Sequence, residues 1–215
     1  MYDFSRSDVG AQAAWKGFSS QTLYIASRLI SDESEHEYYP EDVEDLVIKK
    51  DGVVVEAVQV KNISADLTLS SLAATKTSKG GEGFFNRMCS LHKQNPSFHC
   101  IKVVYFNTLG IELQEVQAGK ANTKKALTKR LVDKHGLSEE DAVWLLDSLC
   151  FEKVNLDDLD LNIQTQISDY IPVMSAPTLA KDLLIQHISA LSKSKGCTTL
   201  KMWQDKIHEI GTNIA

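Results

Sequence analysis

Four prolines and three tryptophans in 215 residues leave few rigid breaks, and four scattered cysteines offer nothing to staple the chain with. Cys89, Cys100, Cys150 and Cys197 form no CxxC pair, which argues against a zinc site. They read as free thiols of a reducing cytoplasm. No run of eighteen apolar residues occurs, so no segment is predicted to span a membrane. The opening MYDFSRSDVGAQAAW lacks the basic and apolar regions of a signal peptide. The six histidines are dispersed, with no HExxH, and His92, His99, His187 and His208 have no partners at ligand spacing. The glycines at 80, 81 and 83 lack the GxxxxGK[ST] spacing of a Walker loop and read as a mobile connection. No internal repeat and no low-complexity tract is present.

Charge is present but unevenly placed. Residues 1–45 hold three Lys/Arg against ten Asp/Glu, residues 46–135 hold fourteen against seven, and residues 136–215 hold six against twelve. A basic middle between acidic flanks is hidden by the net charge of −6. Phosphate-binding surfaces need local positive charge, which the middle segment could supply. The competing interpretation is a set of lysines that only solvate helix faces.

Hydrophobic periodicity predicts a first helix over 9–30, with Trp15, Phe18, Ile25, Ala26 and Leu29 on one face and Ser7 or Asp8 as N-cap. Residues 32–45 carry eight acids and no Lys or Arg, and read as a solvated loop whose end alone is functional. LVIKKDGVVVEAVQVK reads as a β-hairpin around the turn pair Asp51-Gly52. A short helix over 68–77, a helix at FFNRMCSLHKQN, a buried strand at HCIKVVYFNT, helices near 121–134 and 138–148 and a last strand at LCFEKVNL follow. From about 155 the pattern is helical. One helix starts at Ser175-Ala-Pro177 with a buried stripe of Leu179, Leu183, Ile188 and Leu191. Leu200, Trp203, Ile207 and Ile210 mark the final one. The tryptophans at 15, 144 and 203 read as core or interface anchors. The expected fold is α/β, a central mixed sheet flanked by helices with a C-terminal helical extension. The expected division is a domain over 1–155 and an extension over 156–215, and the ending EIGTNIA suggests a piece of a longer protein.

The chemistry concentrates at one end of the hairpin. Four acids occupy five positions at 41–45, and the second strand ends Gln59-Val60-Lys61. Alternation puts Val55, Ala57, Gln59 and Lys61 on one face and Val54, Glu56, Val58 and Val60 on the other. Carboxylates, an amide oxygen and a lysine meeting at strand ends can hold a hard divalent cation with an ammonium close by. A two-residue turn at Asp51-Gly52 sets Glu44 opposite Gln59, whereas a three-residue turn or a bulge sets Asp45 there. Both registers are open at this stage.

GFSSQ, then ExxxDL, then QVK resembles the PD-(D/E)XK nuclease superfamily in its Mrr-like branch, over roughly residues 9–110. It is most similar to effector nuclease domains of bacterial antiphage proteins, which are fused to cyclic-oligonucleotide sensors or to STAND-type NTPases of the Avs family. The resemblance implies a restriction-endonuclease-like core. It implies metal ligation by Asp45, Glu41, the Gln59 side chain and the Val60 carbonyl, with Mg2+ or Mn2+ as the ion. It makes Lys61 the residue that polarises the attacking water, Gln21 a supporting residue, and Glu44 the alternative to Asp45. Gln59 stands where the family pattern has an acid. The implied activity is Mg-dependent, largely non-specific cleavage of double-stranded DNA, switched on by homo-oligomerisation through the chain or an absent C-terminal module. Lys76, Lys79, Lys120, Lys124, Lys125, Lys129, Arg130 and Lys134 are then expected to hold the DNA backbone. The alternative is a non-catalytic adaptor or a DNA-binding assembly module on the same fold.

Overall fold

Helix α1 (Phe4–Ile30) is longer than its apolar stripe predicts. This computed structural model describes residues 4–73, 82–170 and 177–212. Because α1 begins ahead of Ser7 and Asp8, neither is its N-cap. Tyr24, Ile25, Ala26, Leu29 and Ile30 bury its second half. Trp15 is 71% exposed, with its ring 6.5 Å from that of Phe18, so it is no core anchor. Periodicity finds the apolar face of a helix but does not say how far along it a neighbour reaches.

The chain forms two compact units, Met1–Gly52 with Val154–Ala215, and Val53–Lys153. In the first, β1 (Glu37–Pro40) pairs antiparallel with β2 (Leu46–Lys50), placing Tyr38 beside Ile48. β1 lies inside the acid-rich stretch expected to be a solvated loop. Alternation explains the difference: Tyr38 and Pro40 point inward while Glu37 and Tyr39 stay half-exposed. Thr198 adds a second partner, for Tyr38 N donates to Thr198 O at 2.8 Å and Thr198 N returns a bond to Tyr38 O at 3.0 Å. Helix α1 packs on α7 (Leu156–Tyr170) and α8 (Pro177–Ser194). Asn162 of α7 ties the first pair together, its amide donating to Ser27 at 2.8 Å and Ser31 at 3.1 Å. The buried stripe of α8 is Ala180, Leu184 and Ile188: Ile188 is where it was expected, Leu183 and Leu191 are only half-buried, and Leu179 is 47% exposed. Ser175 and the side chain of Ile210 lie outside the described residues. Helix α9 (Leu200–Thr212) contributes Trp203 and Ile207 to the core, and Trp203 is fully buried.

The second unit holds β3 (Val53–Lys61), β4 (Ile101–Tyr105) and β5 (Leu149–Lys153), all parallel. Val54, Val58, Val60, Ala57 and Gln59 are all buried, so both faces of β3 are covered, as parallel strands require. Its connections carry α2 (Leu69–Ala73), α3 (Phe84–Gln94), α4 (Ile111–Gln117), α5 (Ala121–His135) and α6 (Glu139–Ser148). Gly136 closes α5 at a positive φ of 68°, and Ser138 caps α6 by accepting from Asp141 N at 3.0 Å. Lys102, in the middle strand, sits between Glu56 at 3.2 Å and Glu152 at 3.3 Å and neutralises both across three strands. Burial and the Glu56 carboxylate push the neighbouring Cys100 thiol up to about 11. Together the strands make one mixed five-stranded sheet in the order β1-β2-β3-β4-β5, flanked by helices, which is the α/β fold expected. Among the described residues no helix is long and apolar enough to cross a membrane.

Candidate functional site

The loop between β1 and β2 is held by one glutamine. Gln21, on α1 and 8% exposed, donates from Nε2 to Glu41 Oε1 at 2.6 Å and to the Asp45 carbonyl at 3.2 Å. Glu41 N donates to the same carbonyl at 3.0 Å. Glu41 adopts a positive φ of 55°, a conformation that costs a non-glycine residue about 1 kcal/mol, and these bonds over-determine it. Gln21, Glu41 and Asp45 therefore form one cluster, with Asp45 half-buried and Glu44 fully buried beside it in sequence.

Asp51 and Gly52 have positive φ angles of 52° and 76°, and the strands resume at Lys50 and Val53. The turn thus spans two residues.

In the second unit, Gln59 is 3% exposed and its Nε2 lies 3.5 Å from the Val60 carbonyl. Lys61 ends β3 half-buried. Parallel pairing sets Lys61 beside Tyr105, and Tyr105 beside Lys153. The last two were not singled out from sequence, because Tyr105 sits inside the apolar run VVYF and Lys153 stands between Glu152 and Val154.

Among the described residues, no group of three or more His, Cys, Asp or Glu is gathered to hold a metal ion. The ligand set implied by the resemblance draws instead on two acids, an amide and a backbone carbonyl.

The expected DNA-facing cations fare differently from the strand-end residues. Lys76 and Lys79 lie outside the described residues. Lys120 pairs with Glu115 at 2.9 Å, Arg130 with Glu112 at 2.8 Å, and Lys124 with Asp147. Lys125, Lys129 and Lys134 are exposed. Three of the six described candidates are thus matched by local carboxylates.

No protein-family model matches the chain, and no curated protein matches it. Among solved structures, the chain is similar to the Cap4 SAVED/CARF-domain containing receptor of Acinetobacter baumannii. With the cyclic trinucleotide 2′3′3′-cAAA the TM-score is 0.54 at 18% identity, covering 89% of this chain and 44% of the receptor. The same values hold for the receptor with 3′3′3′-cAAA. For the receptor described without a ligand the TM-score is 0.52, with 46% of it covered. The chain spans less than half the length of these receptors. At this identity the likeness establishes a shared fold.

These likenesses correct the expected activity and partner. The chains of like fold are receptors, two of them with a cyclic trinucleotide, and they lend no support to cleavage of double-stranded DNA or to DNA as the partner. The ion-paired state of Lys120, Lys124 and Arg130 agrees with that correction. The PD-(D/E)XK part of the sequence resemblance is likewise unsupported.

Proposed function

We propose that the chain is one module of an antiphage-defence receptor of the Cap4 kind, in a protein that responds to a cyclic oligonucleotide. The observation that carries this reading is the match of 89% of the chain to a receptor described with two different cyclic trinucleotides. The sequence resemblance to antiphage proteins, some of them fused to cyclic-oligonucleotide sensors, supports the same setting. A conserved route of action is not needed for the reading, because what it commits to is the stimulus.

The test is calorimetric titration of the intact protein carrying this chain with 3′3′3′-cAAA, with linear triadenylate as the control. Saturable heat with the cyclic form and at least tenfold weaker binding of the linear one is the expected result. Equal or absent binding of both overturns the reading. Divalent-cation binding by Glu41 and Asp45 is a proposal of the same kind, and the titration repeated with Mg2+ reads it, with Asp45→Asn expected to abolish the heat.

A further inference from the structure

We infer that the carboxyl ends of the three parallel strands form a phosphate-binding row, Lys61–Tyr105–Lys153, for a nucleotide ligand; the ligand class rests on the receptor reading above. Lys61 pairs with Tyr105 and Tyr105 with Lys153, so the three side chains leave one face of the sheet side by side. The neighbouring strand positions stand about 4.8 Å apart, which puts the two lysine Cα atoms roughly 10 Å from each other with the tyrosine between them. Flexible lysine stems can close that span on one phosphate or hold two successive ones.

Burial changes along the same face. Two residues back, the row Gln59–Val103–Phe151 is buried, at 3%, 0% and 8% exposure. One step of the pleat later, Lys61 and Tyr105 are half-buried and Lys153 is exposed. The row is therefore the polar lip of a buried floor, apolar except for Gln59, at the carboxyl edge of a parallel sheet, which is where open α/β sheets bind ligands.

Lys102, Lys120, Lys124 and Arg130 are each matched by a carboxylate of the same unit. Among the described residues Lys153 makes no ion pair, so its ammonium can meet an anion without first breaking one. Between the lysines Tyr105 offers a hydroxyl donor and a ring face on which a base can stack. Cation, phenol and cation in one row suit a phosphate with a nucleobase attached better than a bare carboxylate.

The experiment titrates the intact protein with two probes, 3′3′3′-cAAA and pyrophosphate, in wild type, Lys153→Ala, Tyr105→Ala and the control Lys125→Ala. Variants are accepted at matching far-UV circular dichroism and melting midpoint. Lys153→Ala is expected to weaken both probes about tenfold, the loss of one charge-assisted hydrogen bond. Tyr105→Ala is expected to weaken the trinucleotide more than pyrophosphate, and Lys125→Ala to change neither. Wild-type affinity for both probes in both site variants overturns the row while leaving the receptor reading intact. Pyrophosphate binding that Lys153→Ala removes, in a protein that ignores the trinucleotide, supports the row and overturns the receptor reading. Absence of binding to either probe in wild type overturns both.

Discussion

The two units weight the burial of polar groups differently. The continuous unit, Val53–Lys153, neutralises charge with charge: Lys102 between Glu56 and Glu152, Lys93 on Asp141, Arg130 on Glu112. The unit built from both chain ends also pairs Lys181 with Asp160 at 2.8 Å, but leans more on neutral donors and large apolar anchors. Asn162 bonds Ser27 and Ser31, Thr198 bonds the backbone of Tyr38, and Trp203, Tyr24 and Tyr38 are buried whole. A unit whose strands and helices alternate along the chain finds its charge partners within 50 residues, as Lys102 finds Glu152. A unit closed by residues far apart must instead hold its ends together with contacts that exist only once both have arrived.

The largest effect is therefore expected in the first unit. Trp203→Ala removes a fully buried indole and is expected to cost about 3–5 kcal/mol. Urea unfolding followed by hydrogen exchange reads both the cost and its location. Amides of α1, α7 and α9 should lose protection while those of β3, β4 and β5 keep it. Equal loss in both units would break the comparison, since the second would then depend on the first.

The second unit is probed at Lys102, whose side chain is 17% exposed. Lys102→Met keeps the stem and removes the charge, leaving Glu56 and Glu152 to face each other across the strands. The expected loss is about 2 kcal/mol, below that for a fully buried pair because Glu152 is partly solvated. Adding Glu56→Gln should recover part of it. A double variant no more stable than Lys102→Met would mean the lysine stem, not its charge, supports the strands.

Which of these features could be read in advance follows from how local they are. VVVEAVQVK, IKVVY and LCFEK became β3, β4 and β5 because β-branched runs between turns carry their own signal. EYYP did not announce β1, for its partners are β2 and Thr198, and nothing in four residues among acids points to either. Helix α4 escaped because seven residues with one buried side chain, Leu113, hardly fix a period. In the first turns of α8 the buried stripe was misplaced by one position, Ala180 and Leu184 for Leu179 and Leu183, a 100° rotation, whereas Ile188 was placed correctly. At the candidate site, the residue types Gln21, Glu41 and Asp45 were legible through resemblance. Their joining at the Asp45 carbonyl was not, because it needs Glu41 at a positive φ. The basic character of 46–135 was legible too, whereas its local neutralisation depends on helix placements such as Lys124 of α5 on Asp147 of α6.

The smallest effect sets one histidine in each unit against the other. His187 lies in the first unit, its Nε2 3.1 Å from the Thr198 hydroxyl and its Nδ1 3.3 Å from the Lys206 ammonium. His135 lies in the second, its ring 5.2 Å from that of Phe85. Burial first, and a neighbouring lysine second, lower the pKa of each below the ordinary 6.5. A histidine lowered in the folded state binds its proton more readily when unfolded. Its contribution is therefore complete above pH 6.5 and lost as pH falls toward the folded value. His187 is the more buried of the two, and its Nδ1 must act as acceptor toward Lys206, so protonation there removes a bond as well as adding charge. Melting midpoints between pH 7.5 and 5.5 should fall, and His187→Gln should flatten that fall more than His135→Gln. A slope unchanged by His187→Gln, or flattened more by His135→Gln, would place the acid sensitivity in the unit that handles charge by pairing it.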